Sequence, residues 1–460
     1  MFKTAIATFL SLIILLFVHS VVYAISDPLT VPNNKFGIHI ADPVDLSDAA
    51  KLVNSTGGDW GYVTFVIRND ERDTKRWQKV FDTCRNLHLI PIVRLASHLD
   101  GSNWIKLSMD EIDSWVSFFN SLTWVTQNRY LVIGNEPNHA EEWGGQVNPA
   151  EYTLYLKTIS QKLKSSGDDY FILPAGLDAS ASNSKTSMEE SLYLQKMLAA
   201  DANIFDNIDG WTSHSYPNPG FSGSEYAAGK GTVKTFQWEI NYLKTLGVQK
   251  SLPVFITETG WSHDGAGNKN LASIDKIGDK MAYAFNNVWS DSNIAAVTPF
   301  ILEYNEPPFD MFSWKDNAGN FYSFYNQTQT LPKIKGKPVQ IQKGKILALL
   351  AQPVLLTSSI FPGVALVENT GQSVWNMDSV RLKENESSDI IITETSLAQI
   401  QPNEVGLITF KARTVTKNKF SRFSVAIFST KNIVISNVYS LPIVTIFPSL
   451  MNLNLIFDTM

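Results

Sequence analysis

From Lys35 to about Gln340, short apolar runs alternate with stretches of helical period. Lys35–Ile40, Trp60–Arg68, Leu89–Leu95, Tyr130–Ile133, Tyr170–Pro174, Ile208–His214, Val254–Thr257 and Ala295–Leu302 are β-branched or aromatic runs bounded by turn residues. That is the pattern of parallel strands covered on both faces. Between them the spacing predicts helices over Asp45–Val53, Glu71–His88, Met109–Leu122, Pro149–Leu163, Met188–Ala199, Val233–Leu246 and Ile274–Trp289. In the second of these, Trp77, Val80, Phe81, Cys84 and Leu87 share one face; in the third, Ile112, Trp115, Phe118 and Phe119 do. Eight strands in one alternation with helices predict an α/β protein, a closed (β/α)₈ TIM barrel over residues 25–340. An open doubly wound sheet would not need so many units, and its glycine-rich first turn is missing.

After Gly336 the texture changes. Lys343–Leu350, Gly363–Glu368, Ile390–Glu394, Val405–Arg413, Phe423–Ser429 and Ile433–Ser440 read as short strands with polar turns between them. They predict a smaller all-β sandwich over residues 341–460. The apolar tail Leu441–Phe457 is interrupted by Pro442, Pro448, Asn452 and Asn454, so strands explain it better than a spanning helix. At the other end, Lys3 precedes an uncharged apolar run through Val22, and Val22-Tyr-Ala24 offers a small-residue cleavage site. Residues 1–24 therefore read as a signal peptide. An uncleaved anchor that associates the protein with a membrane or cell surface is the alternative.

Composition narrows the classes. An apolar fraction of 44% with 18% charged residues is globular. A net charge of −6 argues against a nucleic-acid partner, which needs a basic face. Cys84 is the single cysteine, so no intramolecular disulfide forms, and its helical spacing makes it a core residue before a nucleophile. The seven histidines are scattered and no Cys/His cluster has zinc spacing, so neither metal nor cofactor is implied. Twelve Trp and fifteen Tyr are mostly core, although such rings also stack on the C–H faces of sugars.

The chemistry sits at strand ends. Arg129–Asn138 reads as a buried strand that runs into Glu136, with Gly134 permitting a turn and Pro137 ending the strand. Pro253–Trp261 has the same grammar and delivers Glu258. The catalytic face of a barrel is the C-terminal ends of its strands, which would gather Arg68, Arg94, Asn135, Glu136, His214, Tyr216 and Glu258. Two carboxylates on separate strands are the raw material of acid/base and nucleophilic chemistry on sugars.

Asn135-Glu136-Pro137 after the fourth strand and Thr257-Glu258-Thr-Gly-Trp261 after the seventh resemble the motifs of clan A glycoside hydrolases. The resemblance covers the barrel. It implies a retaining enzyme acting on β-linked oligo- or polysaccharides or glycosides, with Glu136 as acid/base and Glu258 as nucleophile. It further implies that Asn135 hydrogen-bonds the sugar 2-hydroxyl. The Glu258–Trp261 segment is also similar to β-glucanases and Asn135–Asn138 to β-xylosidase or cellulase-like relatives, so the family within the clan stays open. Asn369–Trp375 resembles a turn-and-Trp motif of immunoglobulin-like accessory domains, which would bind glycans, pack on the barrel or tether the enzyme to a surface.

The remaining candidates carry two readings each. Arg68 or Arg94, set beside Glu258, would keep it ionised; either would equally serve a structural ion pair. His214 binds a sugar hydroxyl, orients Glu136 or is structural, and Tyr216 is placed to donate to Glu258. Among Trp143, Trp261 and Trp314, the last two are the expected stacking platforms, with core as the alternative. Asn305-Glu306-Pro307 repeats the motif's letters in a loop after the eighth strand and carries little catalytic weight, although Glu303 or Asn305 could touch substrate. A non-catalytic glycan-binding or cell-surface protein on the same barrel is the competing class. No visible catalytic position is lost, which counts against it.

Overall fold

The computed structural model describes residues 25–267, 271–385, 389–415 and 420–446. The segment read as a signal peptide and the part of the apolar tail beyond Ile446 lie outside the described residues. Strands β1 (Gly37–His39), β2 (Gly61–Arg68), β3 (Leu89–Ala96), β4 (Arg129–Ile133) and β5 (Tyr170–Pro174) form a parallel sheet in chain order. Strands β6 (Trp211–His214), β7 (Val254–Glu258) and β8 (Ile294–Val297) form a second parallel sheet. Single parallel bridges link the two sheets, Phe36 to Val297 at one seam and Asp178 to His214 at the other.

Helices α1 (Leu46–Val53), α2 (Thr74–Asn86), α3 (Ile112–Asn120), α4 (Pro149–Ser166), α5 (Glu190–Ala200), α6 (Thr235–Thr245) and α7 (Ile274–Tyr283) fall between successive strands, where the periodicity expects them. Local chemistry sets their starts. The Asp73 carboxylate accepts from the Arg76 N–H to open α2, and Asn148 caps α4, whose first residue is Pro149. An eighth helix, α8 (Ser323–Thr330), is too short and polar to stand out by period, and it packs on α1 and α7.

The strands divide their side chains with a period of two. Tyr62, Ile92, Tyr130, Val132, Phe171, Leu173 and Phe255 meet in one cluster between the sheets. The alternate residues Val63, Val93, Leu131, Ile133 and Ile172 pack outward against the helices. Both faces are therefore apolar, which is why the runs are continuous in sequence. Cys84 belongs to the outer layer, and burial pushes its thiol up to about 12, so it acts as packing. The eighth strand is shorter than Ala295–Leu302. Beyond Val297 the chain crosses toward β1, where the Leu302 N–H donates to the His39 carbonyl.

From Gly344 to Ile446 the regular elements are strands: β9 (Gly344–Ala351), β10 (Val354–Leu356), β11 (Ile360–Asn369), β12 (Val380–Glu384), β13 (Ile390–Leu397), β14 (Val405–Thr414), β15 (Phe420–Ser429) and β16 (Tyr439–Ile446). They make two four-stranded sheets, β9-β11-β14-β13 and β10-β16-β15-β12, antiparallel except for the β10–β16 pair. Val367, Trp375, Phe410, Phe423 and Ile427 lie in the core they share. The expectation of a strand over Ile433–Ser440 is corrected. Asn432 takes a left-handed φ of 59°, the chain turns back with a Ser429 N–H to Ile433 carbonyl bond, and the strand begins at Tyr439. In the motif around Trp375, the Asn369 amide donates to the Ser373 and Ile400 carbonyls and ties the turn. Gln372 donates to the Thr126 carbonyl at 2.9 Å and Asn403 to Thr123 Oγ1 at 2.6 Å, so this end of the sheets rests on the loops below β4. Among the described residues no helix is long and apolar enough to cross a membrane.

Candidate active site

At the end of β4 the backbone bends at Gly134, whose φ of +89° is accessible to glycine without strain. Two residues on, Glu136 itself has φ +29°. A non-glycine residue in that region is held at a cost of about 1–3 kcal/mol and persists where the surroundings over-determine it. Here they do. The Glu136 N–H donates to the Gly176 carbonyl at 3.0 Å, and the Glu136 carbonyl accepts from His139 at 2.8 Å. Asn138, fully buried, donates to the Asp178 and Met188 carbonyls and accepts from the Asp178 N–H. The last Asn of the motif thus anchors the loop, not a ligand.

Glu258 closes β7. A register shift between Ser213 and His214 on β6 sets His214 directly beside it. His214 Nδ1 lies 2.6 Å from Glu136 Oε1 and 3.8 Å from Glu258 Oε2. The ring fits because residue 176 is glycine; a Cβ there would come within 2.3 Å of His214 Cδ2. Arg94 Nη1 donates to Glu258 Oε1 at 2.5 Å and to Asn135 Oδ1 at 2.7 Å. The Tyr216 hydroxyl donates to Glu258 Oε2 at 3.1 Å. One oxygen each of Glu136 and Glu258, together with a His214 nitrogen, lie within 4.8 Å of one another. A carboxylate pair with histidine has metal-ligand character, yet the guanidinium of Arg94 already sets a positive charge against Glu258.

The electrostatics separate the members of this cluster. Burial pushes the Glu258 carboxyl up, but the charges of His214 and Arg94 and the Tyr216 hydrogen bond outweigh it and bring it down to about 2. Burial pushes His214 down, and the two carboxylates overcome that and raise it. A charged His214 donates Nδ1–H to Glu136. Because Glu258 stays ionised to about pH 2, protonation of this group should not limit kcat/KM at any higher pH. Replacing Arg94 with Met should move the acid limb of kcat/KM upward by about 1–3 pH units, the usual effect of one adjacent opposite charge. A pH profile of the variant against wild type checks this, and an unmoved limb would refute it.

Arg68 is not in the cluster. It forms a forked pair with Asp70 (3.0 and 3.2 Å) and reaches Glu71 at 3.1 Å, both on the turn that follows β2. Register explains the difference between the arginines: Arg94 stands opposite Val66, while Arg68 stands two residues further out, opposite Ala96. The outer one meets the carboxylates of its own loop.

The expected stacking platforms are also corrected. Trp261 is 2% exposed and Trp314 1%, so neither offers a ring face to a sugar. Trp261 donates Nε1–H to the Gly223 carbonyl and packs on Trp289, and Trp314 packs edgewise on Phe324. Trp143 is buried as well and donates to Glu151. Trp314→Ala should cost about 3–5 kcal/mol in urea unfolding while KM of the folded fraction is unchanged; a raised KM with intact stability would restore the stacking role. Glu303 pairs with Lys315 at 2.7 Å, and Asn305 lies 3.5 Å from Glu303.

Two members of the neighbourhood escaped the sequence reading. His39 ends β1, where alternation in Lys35–Ile40 already points it inward; it is buried, edge-on to Phe300 at 5.2 Å, and burial brings it down to about 3, so it is neutral. Glu142 follows in the Ala140–Glu142 turn, and its neighbour Glu141 makes the pair look like a solvated loop.

No protein-family model matches the chain, and no curated protein does. Among solved structures, a GH128 subgroup II endo-β-1,3-glucanase from Pseudomonas viridiflava is 16% identical over 65% of this chain and 98% of its own, with a TM-score of 0.42. A family 51 α-L-arabinofuranosidase from Bifidobacterium longum is 9% identical over 84% and 97%, with a TM-score of 0.41. A modular family 26 endo-β-1,4-mannanase from Cellulomonas fimi is 10% identical over 91% and 94%, with a TM-score of 0.38. These structural neighbours are glycoside hydrolases.

Proposed function

We propose that the chain is an exported, retaining glycoside hydrolase that cleaves β-linked glycans or glycosides, with Glu136 as acid/base and Glu258 as nucleophile. The observation that carries the reading is the approach of the two carboxylates, whose oxygens come within 4.8 Å. Retaining enzymes hold the pair about 5–5.5 Å apart, whereas inverting ones leave roughly 6.5–9.5 Å for a water. In the first step an oxygen of Glu258 attacks the anomeric carbon as the bond to the leaving oxygen breaks, and Glu136 gives that oxygen its proton. In the second, Glu136 takes a proton from water, whose oxygen attacks the same carbon and releases Glu258. Arg94 and Tyr216, each on a different oxygen of Glu258, favour its ionised form before attack and again on release. His214, hydrogen-bonded to Glu136, orients that side chain.

The same reading extends to architecture. Residues 25–340 form a closed barrel, for which the bridges at both seams are the support, and residues 341–460 are an accessory sandwich. Residues 1–24 direct export; recovery of the exported chain beginning at Ile25 supports cleavage, and a chain still carrying them supports the anchor.

The test is a panel of aryl β-glycosides and β-glycans, with the first-formed product followed by NMR. The β-anomer appearing first supports double displacement. The α-anomer refutes retention, and binding without turnover on every substrate returns the protein to the glycan-binding class.

A further inference from the structure

Glu142 closes the short turn Ala140–Glu142 that follows β4. With Arg94, Asn135, Trp104 and Trp143 it lines a cavity of about 20 Å³, room for about one water. The neighbouring cations are engaged elsewhere, Arg94 with Glu258 and Lys106 with Glu151. What faces the Glu142 carboxyl across this cavity is the Asn135 side chain.

The hydrogen-bond inventory of Asn135 gives this contact a consequence. Its Oδ1 already accepts from Arg94, which leaves two N–H donors on the amide. An acceptor on one of them completes a clamp, with Arg94 on the oxygen and a carboxyl on the nitrogen. The amide is then barred from flipping, and one N–H is left to point at a ligand. We propose that Glu142 is a positioning residue that fixes the Asn135 amide so that its remaining N–H meets the 2-hydroxyl of the bound sugar. The proposal rests on the glycoside hydrolase reading.

Charge supports the arrangement. Burial pushes the Glu142 carboxyl up to about 7, the negative charges of Glu136 and Glu258 add to that, and the Arg94 charge and the Asn135 amide pull the other way. Near neutral pH the group changes state. Ionised, it is a pure acceptor for Asn135; protonated, it gives up part of that capacity. The clamp should therefore tighten as pH rises through 7.

The experiment compares wild type, Glu142→Gln and Glu142→Leu on the aryl β-glycoside that wild type turns over best, and on its 2-deoxy counterpart. Glu142→Leu should lower kcat/KM about tenfold on the 2-hydroxy substrate, the size of one hydrogen bond. Glu142→Gln, whose carbonyl can still accept from Asn135, should recover most of the loss, and its pH profile should lack the ionisation near 7. On the 2-deoxy substrate the three proteins should be alike. Equal loss on both substrates, no rescue by Gln, or an unimpaired Leu variant each overturns the proposal while leaving the parent reading in place. A wild type inactive on every glycoside overturns the parent reading and this proposal together.

Discussion

Glu258→Ala is expected to abolish turnover of every glycoside, by roughly 10⁴-fold or more, the scale of removing a nucleophile that acts as part of a unit. The side chain is held by Arg94 on one oxygen and Tyr216 on the other, in a buried setting with no second carboxylate at the end of β7. Glu136→Ala should behave differently. A glycosidic oxygen of high basicity cannot depart without a proton, whereas a dinitrophenolate can. The Glu136 variant should therefore lose far more activity on alkyl or glycan substrates than on dinitrophenyl glycosides, where a covalent intermediate accumulates. Steady-state rates on a leaving-group series measure this. If the two variants lose activity in parallel across the series, the division of roles between Glu136 and Glu258 is wrong.

The second large effect is on stability. Lys315 is 7% exposed, and its ammonium meets Glu303 at 2.7 Å, Asp45 at 2.9 Å and Asp48 at 3.0 Å, with the Phe321 ring beneath it. Glu303 and Asp45 follow β8 and β1, so this one cation ties the loops across that seam. Lys315→Met should destabilise the chain by about 3–5 kcal/mol, because Asp45 and Glu303 are left without their cation and Asp48 keeps only Lys51. In wild type, burial pushes the amine down, but the three carboxylates outweigh it and raise it, so its contribution is present at neutral pH and lost only above the ordinary lysine range. In the variant, crowded carboxylates favour protonation, so stability falls as pH rises through their folded values. Urea unfolding at pH 5 and pH 8 should show the larger deficit at pH 8. A deficit below about 1 kcal/mol at both would place the cluster with ordinary surface pairs. The same geometry explains why Glu303, a nearby acid in sequence, serves the fold.

Much of the scaffold was legible from the pattern of residues. Tyr170–Pro174 is a strand with the predicted bounds, and the other parallel strands shift at their ends by a few residues, most of all at Ala295–Leu302. Helix caps and glycine turns act within four residues of themselves, so they can be read locally. The short α8 and β12 carry too few periods to register, and the turn at Asn432 depends on a bond that only the folded hairpin supplies.

Sequence alone determined that strands alternate with helices, that both strand faces are apolar, and that Glu136 and Glu258 each stand at a strand end. Those features depend on period two, period 3.6 and turn chemistry, all written within a few neighbours. Tertiary structure alone decided which arginine meets Glu258, since Arg94 and Glu258 are 164 positions apart and the choice hangs on a two-residue difference in depth along the sheet. It also decided that Trp261 and Trp314 are core, and that Glu142 lines the same cavity as Asn135. Burial and ion pairing depend on what every other segment brings to the same place, and local spacing along one segment holds no record of that.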